Sequence, residues 1–175
     1  MLIMRLQRGV TLIELSITIA IAAILIALAV PSFKIMLANA QIRTAAQALH
    51  DGLQLARVEA IRRNERVIFT KGTQSAWTVS IESDASTVQT RPYTEGSTAA
   101  TVSVTPNGAI KVTFNSLGRV VANTDASNSI SQLDIDVPIT VIPAADSHEL
   151  RITITTGGAI RLCDPNATAG VGMGC

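Results

Sequence analysis

"RLQRGVTLIELSITIAIAAILIALAVPSF", residues 5–33, decides how the rest of the chain is read. Val10 to Val30 is a run of 21 residues with one charge, Glu14. As a helix rising 1.5 Å per residue it covers about 30 Å, the thickness of a hydrocarbon core. An ionised Asp, Lys or Arg at a helix centre costs about 2.5–3.5 kcal/mol on insertion scales, so a lone carboxylate inside such a run calls for a reason. Arg5 and Arg8 precede the run. Basic residues stay on the cytoplasmic side, which sends the rest of the chain outward. No small-residue cleavage site follows the apolar stretch, and Gly9 lies before it. A cut after Gly9 therefore leaves the whole apolar helix on the protein, unlike removal of an ordinary secretory signal.

Past Pro31 the pattern turns amphipathic. Ile42, Ala45, Leu49, Leu53, Ala56 and Ala60 recur at three- and four-residue steps, which lays them on one helical face. Gln41, Arg43, Gln54, Arg57 and Arg62 fall largely elsewhere. Glu59 and Arg63 are four apart, the spacing of a surface ion pair. Gly52 weakens the helix mildly, and Asn64 is a natural stop. One long helix is expected from about Val10 to Asn64, bent near Pro31.

The remainder reads as strands: 66–70, 76–81, 101–105, 109–114, 118–122, 133–142, 149–155 and 159–163. "LDIDV" and "RITIT" alternate apolar with polar, as half-buried strands do. Pro138 argues for a break or an edge in its segment. "TPNG", "NSLG" and "TTGG" supply turns. The polar stretch 82–100 reads as a surface excursion.

The formal net charge of +1 selects neither nucleic acid nor acidic partners. Aromatics make up 3%, so the core must be built from small and β-branched side chains. The two cysteines, Cys163 and Cys175, lack the spacing and histidines of a zinc site. Two free thiols are one reading; the preferred one is a single disulfide closing a small C-terminal loop in an oxidising compartment. That contributes about 3 kcal/mol in the chain-entropy picture.

"RGVTLIEL" resembles the leader junction of type IV pilins and pseudopilins. "VTFNSLGRV" and "ITITTGGAIRLCDP" resemble the two glycine-centred hairpins and cysteine-bearing end of the GspH/FimT branch. The resemblance implies an α+β fold in which the long transmembrane and amphipathic helix packs on a C-terminal antiparallel β-sheet domain. It divides the chain into a leader (1–9), a transmembrane segment (10–30), an amphipathic continuation (31–64) and a periplasmic β-rich domain (65–175). It further implies cleavage between Gly9 and Val10 by a prepilin peptidase and N-methylation of Val10. Glu14 then becomes the fifth residue, and Pro31 stands where many pilins carry a helix-kinking proline. Val10 departs from the commoner phenylalanine. Glu14 would pair with the terminal amine of a neighbouring subunit, and such a partner offsets the cost of a charge in lipid. The implied partners are other pilins or pseudopilins and the inner membrane. The implied role is structural: a minor subunit of a type II secretion pseudopilus or a type IV pilus.

Nothing in the sequence marks an enzyme, a metal site or a cofactor site. His50 lies on the helix and His148 in a loop-like stretch. No nucleophile-elbow motif surrounds a serine. Asp134 and Asp136 share one strand face and read as solvated. "GVGMGC" is not framed as a phosphate loop. Two other readings stand beside the structural one. One is a plain single-pass anchor carrying an exported domain. The other is DNA capture, because some FimT-like proteins carry a GRxR motif. Here that stretch is Gly158-Ala159-Ile160-Arg161, which keeps Arg161 and has Ala159 in place of the first arginine. Lys111, Arg119, Arg151 and Arg161 are the candidate DNA contacts. A further basic cluster, Arg57, Arg62, Arg63, Arg66 and Lys71, is tempered by Glu59 and Glu65.

Overall fold

The computed structural model describes residues 10–168 and 173–175. The expected leader 1–9, with Arg5, Arg8 and Gly9, lies outside the described residues, as do 169–172 of the glycine-rich end.

One helix, α1, runs Leu12–Arg63, 52 residues or about 78 Å. Thr11 caps it with extended backbone, its hydroxyl accepting from the Glu14 N–H at 3.3 Å. Pro31 sits inside the helix without interrupting it. Asn64 ends it in the left-handed conformation (φ 56°), its N–H turning back to the carbonyls of Ala60 and Ile61. Asparagine tolerates that conformation better than most residues, which is why the helix stops there. The helix has two halves of opposite character. From Val10 to Leu37 every residue but the half-buried Ile35 is exposed. From Ala38 onward the apolar stripe is covered: Ile42, Ala45, Leu49, Leu53, Ala56 and Ala60 are fully buried.

The stripe is covered by two antiparallel sheets. The first takes β1 (Val67–Lys71), β2 (Trp77–Ile81), β3 (Thr87–Arg91), β5 (Lys111–Phe114) and β6 (Val120–Val121), in the order β3-β2-β1-β5-β6. The second orders β4 (Thr101–Thr105), β7 (Gln132–Asp136), β8 (Leu150–Ile154) and β9 (Ile160–Cys163) as β4-β7-β8-β9. Buried and half-buried residues alternate along β2, β7 and β8, so one face of each sheet meets the helix. Phe69, Val79, Val112 and Phe114 come from the first sheet and Leu133, Ile135 and Ile152 from the second; together with the stripe they form one core.

Three elements differ from the sequence expectation. The excursion 82–100 contains a strand, β3. Only Val88 and Arg91 of β3 are even half-buried, so an edge strand with two polar faces left no alternation to read. The expected strand 133–142 stops at Asp136; Pro138 instead opens a turn closed by the Val141 N–H on the Pro138 carbonyl, 2.8 Å. The expected 118–122 shrinks to two residues.

The sheets meet at two glycine turns. Gly118 (φ +71°) and Gly158 (φ +85°) close "NSLG" and "TTGG". A Cβ on Gly158 would lie 1.8 Å from the Gly118 carbonyl oxygen, so the turns are stacked backbone to backbone. The helix joins this stack through Arg57 Nε, which donates to the Gly118 carbonyl at 3.2 Å.

Candidate functional site

The unusual surface of this molecule is the first half of α1. Leu12, Ile13, Leu15, Ile17, Ile19, Ile21, Ile24, Leu25, Ile26, Leu28, Val30 and Phe33 are all exposed. A soluble chain seldom leaves so large a contiguous apolar surface uncovered; such surfaces meet membranes or other proteins. The segment is long and apolar enough to cross a bilayer, and none of its most apolar window is buried. The two hydroxyls between Leu12 and Val30 are already satisfied. Ser16 Oγ donates to the Ile13 carbonyl and Thr18 Oγ1 to the Leu15 carbonyl, both at 2.8 Å. Polar side chains in lipid must find partners within the protein, and here the helix supplies them.

Glu14 lies exposed in the first turn. There the positive end of the helix dipole favours a carboxylate. Thr11 and Glu14 have the spacing of a capping box, of which the Thr11 half is made. Among the described residues no hydrogen bond or ion pair engages the Glu14 carboxylate. The Thr-x-x-Glu pattern was present in the sequence and gives Glu14 a local benefit that the apolar-run reading overlooked. Val10 is exposed two residues before the helix begins, so a chain starting at Val10 keeps both the cap and the first turn. Gly9 itself lies outside the described residues.

Among the described residues, two of the four candidate cations are paired with carboxylates and two are not. Lys111 and Arg119 belong to the β5–β6 region of the first sheet, Arg151 and Arg161 to β8 and β9 of the second. Lys111 is paired with Asp125. That amine and the Ser127 hydroxyl and N–H hold the Asp125 carboxyl well below its usual range. Arg151 Nε meets Asp134 Oδ1 at 2.5 Å. Arg119 and Arg161 remain exposed, with no ion pair among the described residues. Ala159 sits in the β8–β9 turn, its N–H on Thr155 Oγ1 at 3.1 Å. In the second basic cluster Arg62 and Arg63 both close on Glu59, at 2.7 and 2.6 Å, and Arg66 meets Glu82 at 2.9 Å.

The remaining candidates are structural in their contacts. Asp134 and Asp136 are tied up separately, Asp134 by Arg151 and Gln132, Asp136 by the Ser147 hydroxyl and the Val137 N–H. His50 Nδ1 lies 3.6 Å from Asp51. Among the described residues no three of His, Cys, Asp and Glu gather as metal ligands do. Cys163 and Cys175 are joined by a disulfide that pins the chain end to β9. Beside it the Asp164 N–H donates to the Met173 carbonyl at 2.7 Å.

Comparison with known proteins agrees with this anatomy. Residues 4–30 match the prokaryotic N-terminal methylation motif, and residues 45–158 match the family described as type II transport protein GspH. Two crystal structures of the type IV minor pilin FimU of Pseudomonas aeruginosa have a similar fold. One gives a TM-score of 0.52 at 16% identity, covering 74% of this chain and 92% of that one. The other gives 0.50 at 18%, covering 73% and 97%. A search of curated proteins finds no match.

Proposed function

The chain belongs to the GspH family of type IV pilin-like proteins, and on that premise we propose that it is a minor pilin or pseudopilin made to be cut, stored in the inner membrane and built into a filament. The observation that carries this is the split character of α1: its second half has a core to bury itself in, and its first half has no partner among the described residues. Prepilin peptidase cuts between Gly9 and Val10, and Val10 is N-methylated. The helix Leu12–Val30 then holds the protein in the bilayer as a single span, with the β domain in the periplasm. On assembly into a type II secretion pseudopilus or a type IV pilus, lipid around this helix is replaced by the corresponding helices of other pilins.

Glu14 makes the exchange selective. Uncompensated in lipid, its charge is costly; beside the cationic Val10 amine of an adjoining subunit it is neutralised. Its place in the first turn lessens the cost before assembly. The work is mechanical rather than catalytic, in keeping with the family and the fold.

Glu14→Ala tests this. Cleavage and membrane insertion are expected to be unchanged, while the share of the protein recovered in sheared filaments falls several-fold. Incorporation equal to wild type would remove Glu14 from the mechanism. N-terminal mass spectrometry of the filament fraction checks the cut. A chain still carrying its leader there would support a plain membrane anchor.

A further inference from the structure

The turn "TPNG", residues 105–108, joins β4 to β5. It also sets an asparagine directly before a glycine, and that pair can react within itself. The backbone nitrogen after an asparagine needs only to close a five-membered ring to reach the side-chain carbonyl carbon. In other residues a Cβ crowds that nitrogen; glycine has none.

The fold decides whether the reaction is open. Asn107 and Gly108 are both exposed, and a Cβ placed on Gly108 would meet nothing within 4 Å. Among the described residues the Asn107 side chain makes no hydrogen bond. The peptide unit between the two residues makes none either, through the Asn107 carbonyl or the Gly108 N–H. Gly108, at φ +80°, takes the third position of a type II turn, whose central peptide is this unbonded one. One bond closes the turn, from the Ala109 N–H to the Pro106 carbonyl at 3.0 Å. Rotating the central peptide, so that the Gly108 nitrogen meets the Asn107 side chain, costs at most that one contact. Exposed turns of this kind open at the low end of local stabilities.

The other asparagines are held or shielded. Asn39, Asn115, Asn123 and Asn166 have side chains bonded within the fold. Asn64 is followed by Glu65, whose N–H is bonded to the Ala60 carbonyl. Asn128 is exposed, but the Ser129 after it carries a Cβ. Asp51 precedes a glycine too, yet both lie inside α1, and Gly52 is buried against Trp77.

We propose that Asn107 is a modification site, at which the folded chain deamidates itself through a succinimide. The Gly108 nitrogen gives its proton to a solvent base and bonds to the Asn107 Cγ. The Cγ–Nδ2 bond breaks, and ammonia leaves with a proton taken from water. Water then opens the ring at either carbonyl, leaving aspartate or isoaspartate. No oxidant or cofactor enters. Either product adds one negative charge, which cancels the formal net charge of +1. The flanks stay tied, since the Ser131 N–H donates to the Thr105 carbonyl at 2.9 Å and Ala109 is buried. The new charge, and the extra backbone methylene of isoaspartate, are therefore confined to the turn. A long-lived chain becomes more acidic with age. The inference does not depend on the filament reading.

Ageing the full chain in neutral detergent, at neutral and at mildly alkaline pH, tests the site. Samples are digested in acid, which halts the reaction, and sequenced by mass spectrometry with electron-transfer fragmentation, which tells isoaspartate from aspartate. Asn107 is expected to convert several-fold faster than any of the other six asparagines, faster at the alkaline pH, and to a mixture containing isoaspartate. Isoelectric focusing should show an acidic form in the aged wild type. Asn107→Gln, which could close only a slower six-membered ring, should lack it. Asn107 surviving as long as Asn128 in the folded chain, while guanidinium-unfolded chain converts it first, would show that the turn protects it and overturn the site. Aspartate without isoaspartate would mean direct hydrolysis and overturn the ring. An acidic form persisting in Asn107→Gln would put the modification elsewhere, which also overturns the proposal.

Discussion

Glu59 shows at the scale of a single residue how the sequence understated an interaction. Its spacing to Arg63 suggested one surface pair, yet the side chain is only 12% exposed and its carboxylate accepts from both Arg62 and Arg63. The hydrogen bond from Arg62, and then that from Arg63, lower its pKa from the ordinary 4.5 to about 2. The unfolded chain therefore takes up this proton at a higher pH than the folded one does. The stabilisation is complete above about pH 5 and is lost as pH falls through 4.5 towards about 2. The arginine side chains are 60% and 37% exposed, so solvent screens the pair. Glu59→Gln is expected to cost about 1 kcal/mol at neutral pH. It should also flatten the acid limb of stability relative to wild type. Thermal unfolding of the detergent-solubilised chain, followed by circular dichroism between pH 7 and pH 2, checks both; an unaltered acid limb would show that the contact is not formed.

Helix and sheet meet at the element scale, and Gly52 is where they come closest. The sequence marks it as a mild defect in the helix. In the fold, a Cβ there would lie 2.7 Å from the Trp77 ring atoms Cδ2 and Cε2 and 2.9 Å from Phe69. Two effects oppose each other in Gly52→Ala. Helix propensity gains about 1 kcal/mol. Overpacking against two buried rings costs about 1–3 kcal/mol, and Trp77, 4% exposed, has little room to retreat. The net change is expected to destabilise by up to about 2 kcal/mol. Denaturant titration read by the fluorescence of Trp77, the chain's only tryptophan, measures it directly; a stabilised variant would mean that the rings yield. The stripe Ile42–Ala60 was legible because helical periodicity is local. The role of Gly52 was not, because Trp77 arrives from a strand that pairs only once the chain has folded. The stacked turns at Gly118 and Gly158 escaped for the same reason: each reads as an ordinary turn, and their contact is long-range. Pro138 broke its strand as the sequence warned, while β3 was invisible for want of an apolar face.

For the whole molecule, the division of labour along α1 was open to reading from the start, since a run without charges and a run with a stripe differ in every window. The capping pattern at Thr11 and Glu14 was equally open and was masked by the louder apolar signal. What the sequence left open was whether scattered cations meet, because that depends on which sheet each strand joins. In the fold Lys111 and Arg151 are neutralised by Asp125 and Asp134, while Arg119 adjoins the Gly158 turn where the two sheets meet. Global charge acts in the same direction. The chain has 14 basic and 13 acidic side chains; loss of residues 1–9 would remove Arg5 and Arg8 and leave the acidic ones in the majority. A surface of that kind does not draw DNA from a distance. Local contact would then fall to Arg119 and Arg161. Each phosphate neutralised contributes about 0.9 to the slope of log affinity against log salt, so two contacts give a slope of about −1.8. The chain cleaved after Gly9, in neutral detergent, is expected to bind duplex DNA only at low salt and with a slope no steeper than that. Arg119→Ala combined with Arg161→Ala should abolish the binding. Fluorescence anisotropy of labelled duplex across a salt series measures slope and loss together. A slope steeper than about −4 would require more phosphate contacts than these two arginines can make, and would move DNA capture ahead of the purely structural role.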